Sequence, residues 1–129
     1  MTKTPKRVKR VLIVEDEPSI MRALATVFVR EGFEATTAGD GEEGLAAALR
    51  DRPDLIILDI VMPRMDGMEM LTRIRRDGGA WGKSVKAIVY SNLSYNEKHG
   101  EAAGVGVKDF LVKADTSLAE VVRIAKETL

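Results

Sequence analysis

Apolar and polar residues along this chain alternate in blocks of two kinds. Short apolar runs are separated by stretches in which apolar residues recur at helical spacing. Residues 10–16, RVLIVED, form a short apolar run that ends in acids. Over 18–32, PSIMRALATVFVREG, apolar residues fall at 20, 21, 24, 27 and 28, with Pro18 suited to a first turn and Gly32 to a C-terminal cap. FEATTA, 33–38, alternates as a strand buried on one face does. GEEGLAAALRD, 41–51, predicts an Ala-rich helix that Pro53 closes. LIILD, 55–59, is a second apolar strand, and GMEMLTRIRRDG, 67–78, a helix with Met68, Leu71 and Ile74 on one side. VKAIVYS (85–91) predicts a strand, YNEKHGEAAGVG (95–106) a weak helix and DFLVKA (109–114) a strand. A capping box, Ser117 with Glu120, opens a last helix that runs to Leu129.

These are βα units in series without repeats or a linker, which predicts a single domain over 1–129 with a basic arm at 1–7. Strands apolar on both faces predict a parallel sheet covered on two sides. Right-handed crossovers then give a doubly wound, three-layer α/β sandwich. In such sheets the site lies outside the carboxyl ends of the strands.

Composition narrows the function classes. Hydrophobic residues make up 45% and charged residues 31%, the balance of a globular chain. Lys plus Arg and Asp plus Glu each number 20, which argues for neither a nucleic acid nor a membrane surface as partner. The absence of cysteine excludes disulfides, thiolate zinc sites and cysteine nucleophiles, and is compatible with a cytoplasmic setting. No apolar run approaches the ~20 residues of a membrane span. The basic start leads straight into a strand without a small-residue cleavage site, so it reads as a solvated terminus.

The strand ends carry the candidate chemistry. Glu15, Asp16 and Glu17 follow the first strand, Asp59 the third, Ser91 and Asn92 the fourth, and Lys113 the fifth. Each alone reads as a cap, a turn residue or surface. Together they are harder to explain structurally, because Glu15, Asp16 and Asp59 repel one another unless a cation lies between them. An all-oxygen set without His or Cys selects a hard ion, Mg²⁺ or Mn²⁺.

LIVEDE, LIILDIVMPRMDG, Ser91 and FLVK, taken in register, resemble the response-regulator receiver domains of two-component signalling, from about residue 8 to 129. The resemblance implies the flavodoxin-like (βα)5 fold. Its strand order, 2-1-3-4-5, comes from the family and not from the sequence pattern. It implies a signalling switch that promotes only its own phosphorylation and dephosphorylation. Asp59 would take a phosphoryl group from a histidine kinase or phosphotransfer protein. Asp16 would bind Mg²⁺ directly and Glu15 directly or through water, with Asp59 and the Val61 carbonyl as further ligands. Lys113 would pair with Asp59 and then with the phosphoryl oxygens. Ser91 would hydrogen-bond the phosphoryl group, and Phe110 would change rotamer with it. The expected output face is 94–129, contacting a protein rather than nucleic acid or membrane, since no DNA-binding module follows in the sequence.

Three other classes compete. A haloacid-dehalogenase-type phosphatase needs a second Asp two residues after the nucleophile, where Val61 stands. A flavodoxin wants a hydroxyl- and glycine-rich loop after the first strand, where EDEP would repel phosphate. The stronger rival is a receiver-like module that binds partners without phosphorylation.

Some positions depart from the family pattern. Ala114 stands where a Pro with a cis peptide bond usually follows the Lys, which leaves the path after Lys113 open. Asn92 is larger than the usual residue after the switch hydroxyl. Val61 and Leu93 are apolar where a polar pair could hold the attacking water, so slow hydrolysis is expected. His99 reads as surface, Met62, Met65, Met68 and Met70 as packing, and Trp81 as a half-buried anchor in a Gly-rich connection. The charges of 73–77 read as the solvated side of a helix.

Overall fold

The apolar runs become β1 (Arg10–Val14), β2 (Glu34–Ala38), β3 (Leu55–Leu58), β4 (Lys86–Ser91) and β5 (Asp109–Val112). They pair in parallel as one sheet of order β2-β1-β3-β4-β5, so the flavodoxin-like α/β fold and its strand order hold. The helices are α1 (Pro18–Arg30), α2 (Gly41–Asp51), α3 (Gly67–Asp77), α4 (Gly79–Ser84), α5 (Tyr95–Gly104) and α6 (Leu118–Thr128). This computed structural model describes residues 8–93 and 95–129, except the side chains of 95–99. The basic arm and the His99 side chain therefore lie outside the described residues.

Period-two alternation divides the strands between two cores. Leu12, Val14, Ile56, Leu58, Ala87 and Val89 face the side covered by α2 and α3, where Ala48, Met68, Met70, Leu71 and Ile74 meet them. Val11, Ile13, Leu55, Ile57, Ile88 and Tyr90 face α1 and α6, through Leu24, Phe28, Val121, Val122 and Ala125. All four residues of β3 are buried, which is why its sequence is a continuous apolar run. Asp40, Asp66 and Ser117 cap α2, α3 and α6, each accepting from the backbone N–H three residues on.

Three local readings change. The Gly-rich connection is a short helix, α4, packed on α3, and Trp81 is its half-buried anchor, donating from Nε1 to the Pro53 carbonyl at 2.8 Å. The fifth strand stops at Val112, and Lys113–Asp115 form a 3-10 turn. No cis peptide bond occurs among the described residues, so the chain passes Lys113 and Ala114 in trans.

The third change is at Arg75, where the expected solvated charge turns inward. Its guanidinium donates to the carbonyls of Val85 at 2.6 Å, Val105 at 3.0 Å, Gly82 at 3.1 Å and Gly106 at 3.3 Å. Four carbonyls, brought together only by folding, satisfy a partly buried cation. Arg76 stays on the outside, paired with Asp77.

Candidate functional site

The ladder between β1 and β3 runs one residue past the strand, Asp59 N–H donating to the Val14 carbonyl at 3.0 Å. Asp59 is thus fixed at the carboxyl end of a buried strand. Its Oδ1 accepts from the Ile60 N–H at 2.7 Å, which sets the rotamer, and its Oδ2 accepts from Lys113 Nζ at 2.9 Å. Lys113 also contacts Glu15 Oε1 at 2.6 Å, a pairing not foreseen in the sequence. These side chains are nearly enclosed, at 2% exposure for Glu15, 9% for Asp59 and 7% for Lys113.

Burial and hydrogen bonding act in opposite directions here. Burial lifts the Glu15 carboxyl above its ordinary value, more than the bond from Lys113 lowers it. Burial disfavours the Lys113 ammonium too, but its bonds to Glu15 and Asp59 prevail and its pKa lies above the ordinary lysine value. The lysine is therefore a permanent cation between two acids.

Glu15, Asp16, Asp59, Val61, Ser91, Asn92, Leu93 and Lys113 line one cavity of about 300 Å³. The sequence-derived set is thus brought together, with Phe110 the exception. Phe110 is half-buried and packs against the core between the sheet and α3. Asp16 is exposed, and one carboxylate oxygen from each of Glu15, Asp16 and Asp59 lies within 4.8 Å of the others. Ser91 is buried and its Oγ accepts from the Leu93 N–H at 3.3 Å. Val61 stands out at 62% exposure, while Leu93 leans on the core.

The loop after Asp59 is held by close backbone approaches. A Cβ at Gly67 would meet the Asp59 carbonyl oxygen at 2.1 Å, and one at Gly41 the Met65 carbonyl oxygen at 2.0 Å. No side chain fits at either place. Met62, Met65, Met68 and Met70 are all buried, as packing requires.

Sequence reasoning missed a tie across this loop. Arg64, at a left-handed φ of 68°, donates to Asp40 Oδ2 at 2.6 Å. Asp40 also accepts from the Glu43 N–H, and that bond and Arg64 hold its carboxyl below the usual range. Asp40 followed by Gly-Glu-Glu is a legible helix start. Nothing in the sequence marks Arg64 as its partner.

Comparison with known proteins fits this geometry. The family model for the response regulator receiver domain matches residues 11–123. The transcriptional regulatory protein PrrA of Mycobacterium tuberculosis is 38% identical over 93% of this chain and 49% of its own length. The solved Vibrio cholerae chemotaxis protein CheY4 superposes with a TM-score of 0.87 at 30% identity, covering 95% of this chain and all of that one. The Thermotoga maritima response regulator TrrA, solved in complex with Mg(2+)-BeF, matches with a TM-score of 0.81 at 32% identity, covering 95% of this chain and all of that one. The chain spans between 28% and 49% of the length of the first curated relatives it matches. With the family model covering most of the sequence, the chain belongs to the response-regulator receiver family, the phosphoacceptor domains of two-component signalling.

Proposed function

We propose that Asp59 of this receiver takes a phosphoryl group from a histidine kinase or phosphotransfer protein in the cytoplasm, with Mg²⁺ or Mn²⁺ as cofactor. The observation that carries this is Asp59 Oδ2 held 2.9 Å from the Lys113 ammonium, with the acids of Glu15 and Asp16 beside it. The donor set fits a hard divalent ion, being all oxygen and mutually within 4.8 Å. Glu15, Asp16, Asp59 and the Val61 backbone carbonyl would hold it. When bound, the ion supplies neutralisation of phosphoryl charge.

The chain's own residues do the rest. A carboxylate oxygen of Asp59 attacks phosphorus and becomes an acyl phosphate as the donor histidine nitrogen leaves. Lys113, already facing Asp59, moves its hydrogen bonds onto the phosphoryl oxygens. Ser91 turns its hydroxyl from the loop toward the same group, and Phe110 shifts rotamer as Ser91 moves. The consequence is a changed protein-binding face over 94–129. The domain acts on no separate substrate, and contact with nucleic acid or membrane is not part of this role.

Incubation with acetyl phosphate and Mg²⁺, followed by intact mass and mapping of the acid-labile group, tests the assignment. Wild type should gain one phosphoryl group and Asp59→Asn none. Equal uptake by Asp59→Asn would move the acceptor elsewhere. No uptake by wild type would favour the phosphorylation-independent binding module. Followed over time, the same preparation reads hydrolysis, which Val61→Asn with Leu93→Glu should accelerate. Unchanged decay in that double variant would dismiss the two apolar side chains as a water barrier.

A further inference from the structure

The 3-10 turn that carries Lys113 has few visible anchors of its own. Ala114 and Asp115 are exposed, only the Lys113 side chain of the three is enclosed, and β5 before them is half-exposed throughout. Yet the Lys113 ammonium reaches both Glu15 and Asp59, which requires the turn to be held in place.

Tyr90 supplies a hold from below. It precedes Ser91 in β4 and pairs in register with Leu111 of β5, so its ring lies on the α1 and α6 side of the sheet. The residue is 6% exposed. Its hydroxyl donates to the Thr116 carbonyl, just past the turn, at 3.1 Å. Its ring centroid lies 5.9 Å from Lys113 Nζ, within the range of a cation–π contact. One rigid side chain thus touches the turn at two points, the exit carbonyl and the ammonium itself. Ala114, without a ring to lock its φ, leaves the backbone after the lysine free to move.

We propose that Tyr90 is a positioning residue for Lys113, fixing the turn through the Thr116 carbonyl and steering the ammonium toward Asp59 with its ring. It does not touch the phosphoryl group. The proposal rests on the reading of Asp59 as acceptor with Lys113 beside it, and it assigns this chain a determinant one residue before the switch hydroxyl. Both contacts depend on Tyr90 being aromatic and hydroxylated, so they can be removed in turn.

The test is the rate of phosphorylation by acetyl phosphate with saturating Mg²⁺, in Tyr90→Phe, Tyr90→Leu, Lys113→Ala and the double variants. Tyr90→Phe keeps the ring and the packing, and should slow wild type roughly three- to tenfold, the size of one lost neutral hydrogen bond. Tyr90→Leu, which also removes the ring face, should slow it further. In the Lys113→Ala background neither change should slow the residual rate, because the group being positioned is gone. Fluorescence-monitored Mg²⁺ affinity should not change in Tyr90→Phe. A Tyr90→Phe rate equal to wild type, or the same fold-loss with and without Lys113, would overturn the inference in favour of a purely structural tyrosine. If wild type takes up phosphate while Tyr90→Phe is indistinguishable from it, only the role of Tyr90 fails. If wild type takes up none, the acceptor assignment fails and this role falls with it.

Discussion

All four residues of β3 are buried, while all four of β5 are half-exposed, yet Asp59 follows the first and Lys113 follows the second. The acceptor side is further locked by loop contacts. Gly67 lies against the Asp59 carbonyl, Gly41 against the Met65 carbonyl, and Arg64 is tied to Asp40. The other side has a half-buried Phe110, a 3-10 turn whose Ala114 and Asp115 are exposed, and a helix, α5, containing a glycine with open space around it. Glycine in a helix interior costs roughly 0.5–1 kcal/mol relative to alanine. The contrast teaches a division of labour. A nucleophile benefits from a fixed position, whereas a signal needs an element whose alternatives lie close in free energy.

Cutting the link between the halves should have the largest effect. Lys113→Ala leaves Glu15 and Asp59 facing each other without their cation, and should destabilise the fold by about 3 kcal/mol at neutral pH, as breaking a buried ion pair does. The loss should shrink on acidification. The native pKa of Glu15 already lies above its ordinary 4.5 through burial, and Lys113 acts to lower it, so removing Lys113 raises it further. The variant then regains from protonated Glu15 a stability that is lost as pH rises through that raised value. Urea unfolding at pH 5 and pH 8 reads this directly, and an equal loss at both would deny the coupling.

On the acceptor side, Gly67→Ala should cost about 1–3 kcal/mol, because the new methyl cannot share space with the Asp59 carbonyl. Phosphorylation should slow along with it as Asp59 is displaced. A variant with unchanged stability and rate would mean that the loop is softer than its close approaches suggest. The smallest effect is at the Arg64 tie. Asp40→Asn retains the capping oxygen but removes the charge. Asp40 has a native pKa below its ordinary 3.8, so wild type should be the more stable near neutrality. That advantage should fade as pH falls below 3.8 and through the depressed native value. A gap that does not vary with pH would assign the stabilisation to something other than the Asp40 charge held by the Glu43 N–H and Arg64.

The same division explains how much of the molecule was legible in its sequence. Strands that must be apolar on both faces announce themselves, so β1 and β3 were readable with near-correct bounds, and with them the place of the acids at their ends. What escaped was created by folding. Arg75 looks like any helix charge until four carbonyls, two from α4 and its end and two from the segment before β5, converge on it. The helix α4 hides behind glycines, whose low propensity is overridden by packing: a Cβ at Gly82 would sit 2.3 Å from the Ile74 carbonyl oxygen. The bond from Lys113 to Glu15 escaped because strand-end position gives proximity and not pairing. Tyr90 reads as one more core aromatic, since a hydroxyl that reaches the Thr116 carbonyl leaves no pattern in the sequence.

Hydrogen exchange with and without Mg²⁺ and beryllofluoride, a phosphoryl mimic, tests the division most directly, with Asp59→Asn as control. The fixed-acceptor account predicts altered protection across 91–113 and none across 55–58 in wild type, and no alteration anywhere in Asp59→Asn. Unchanged protection across 91–113, or a change centred on 55–58, would contradict it.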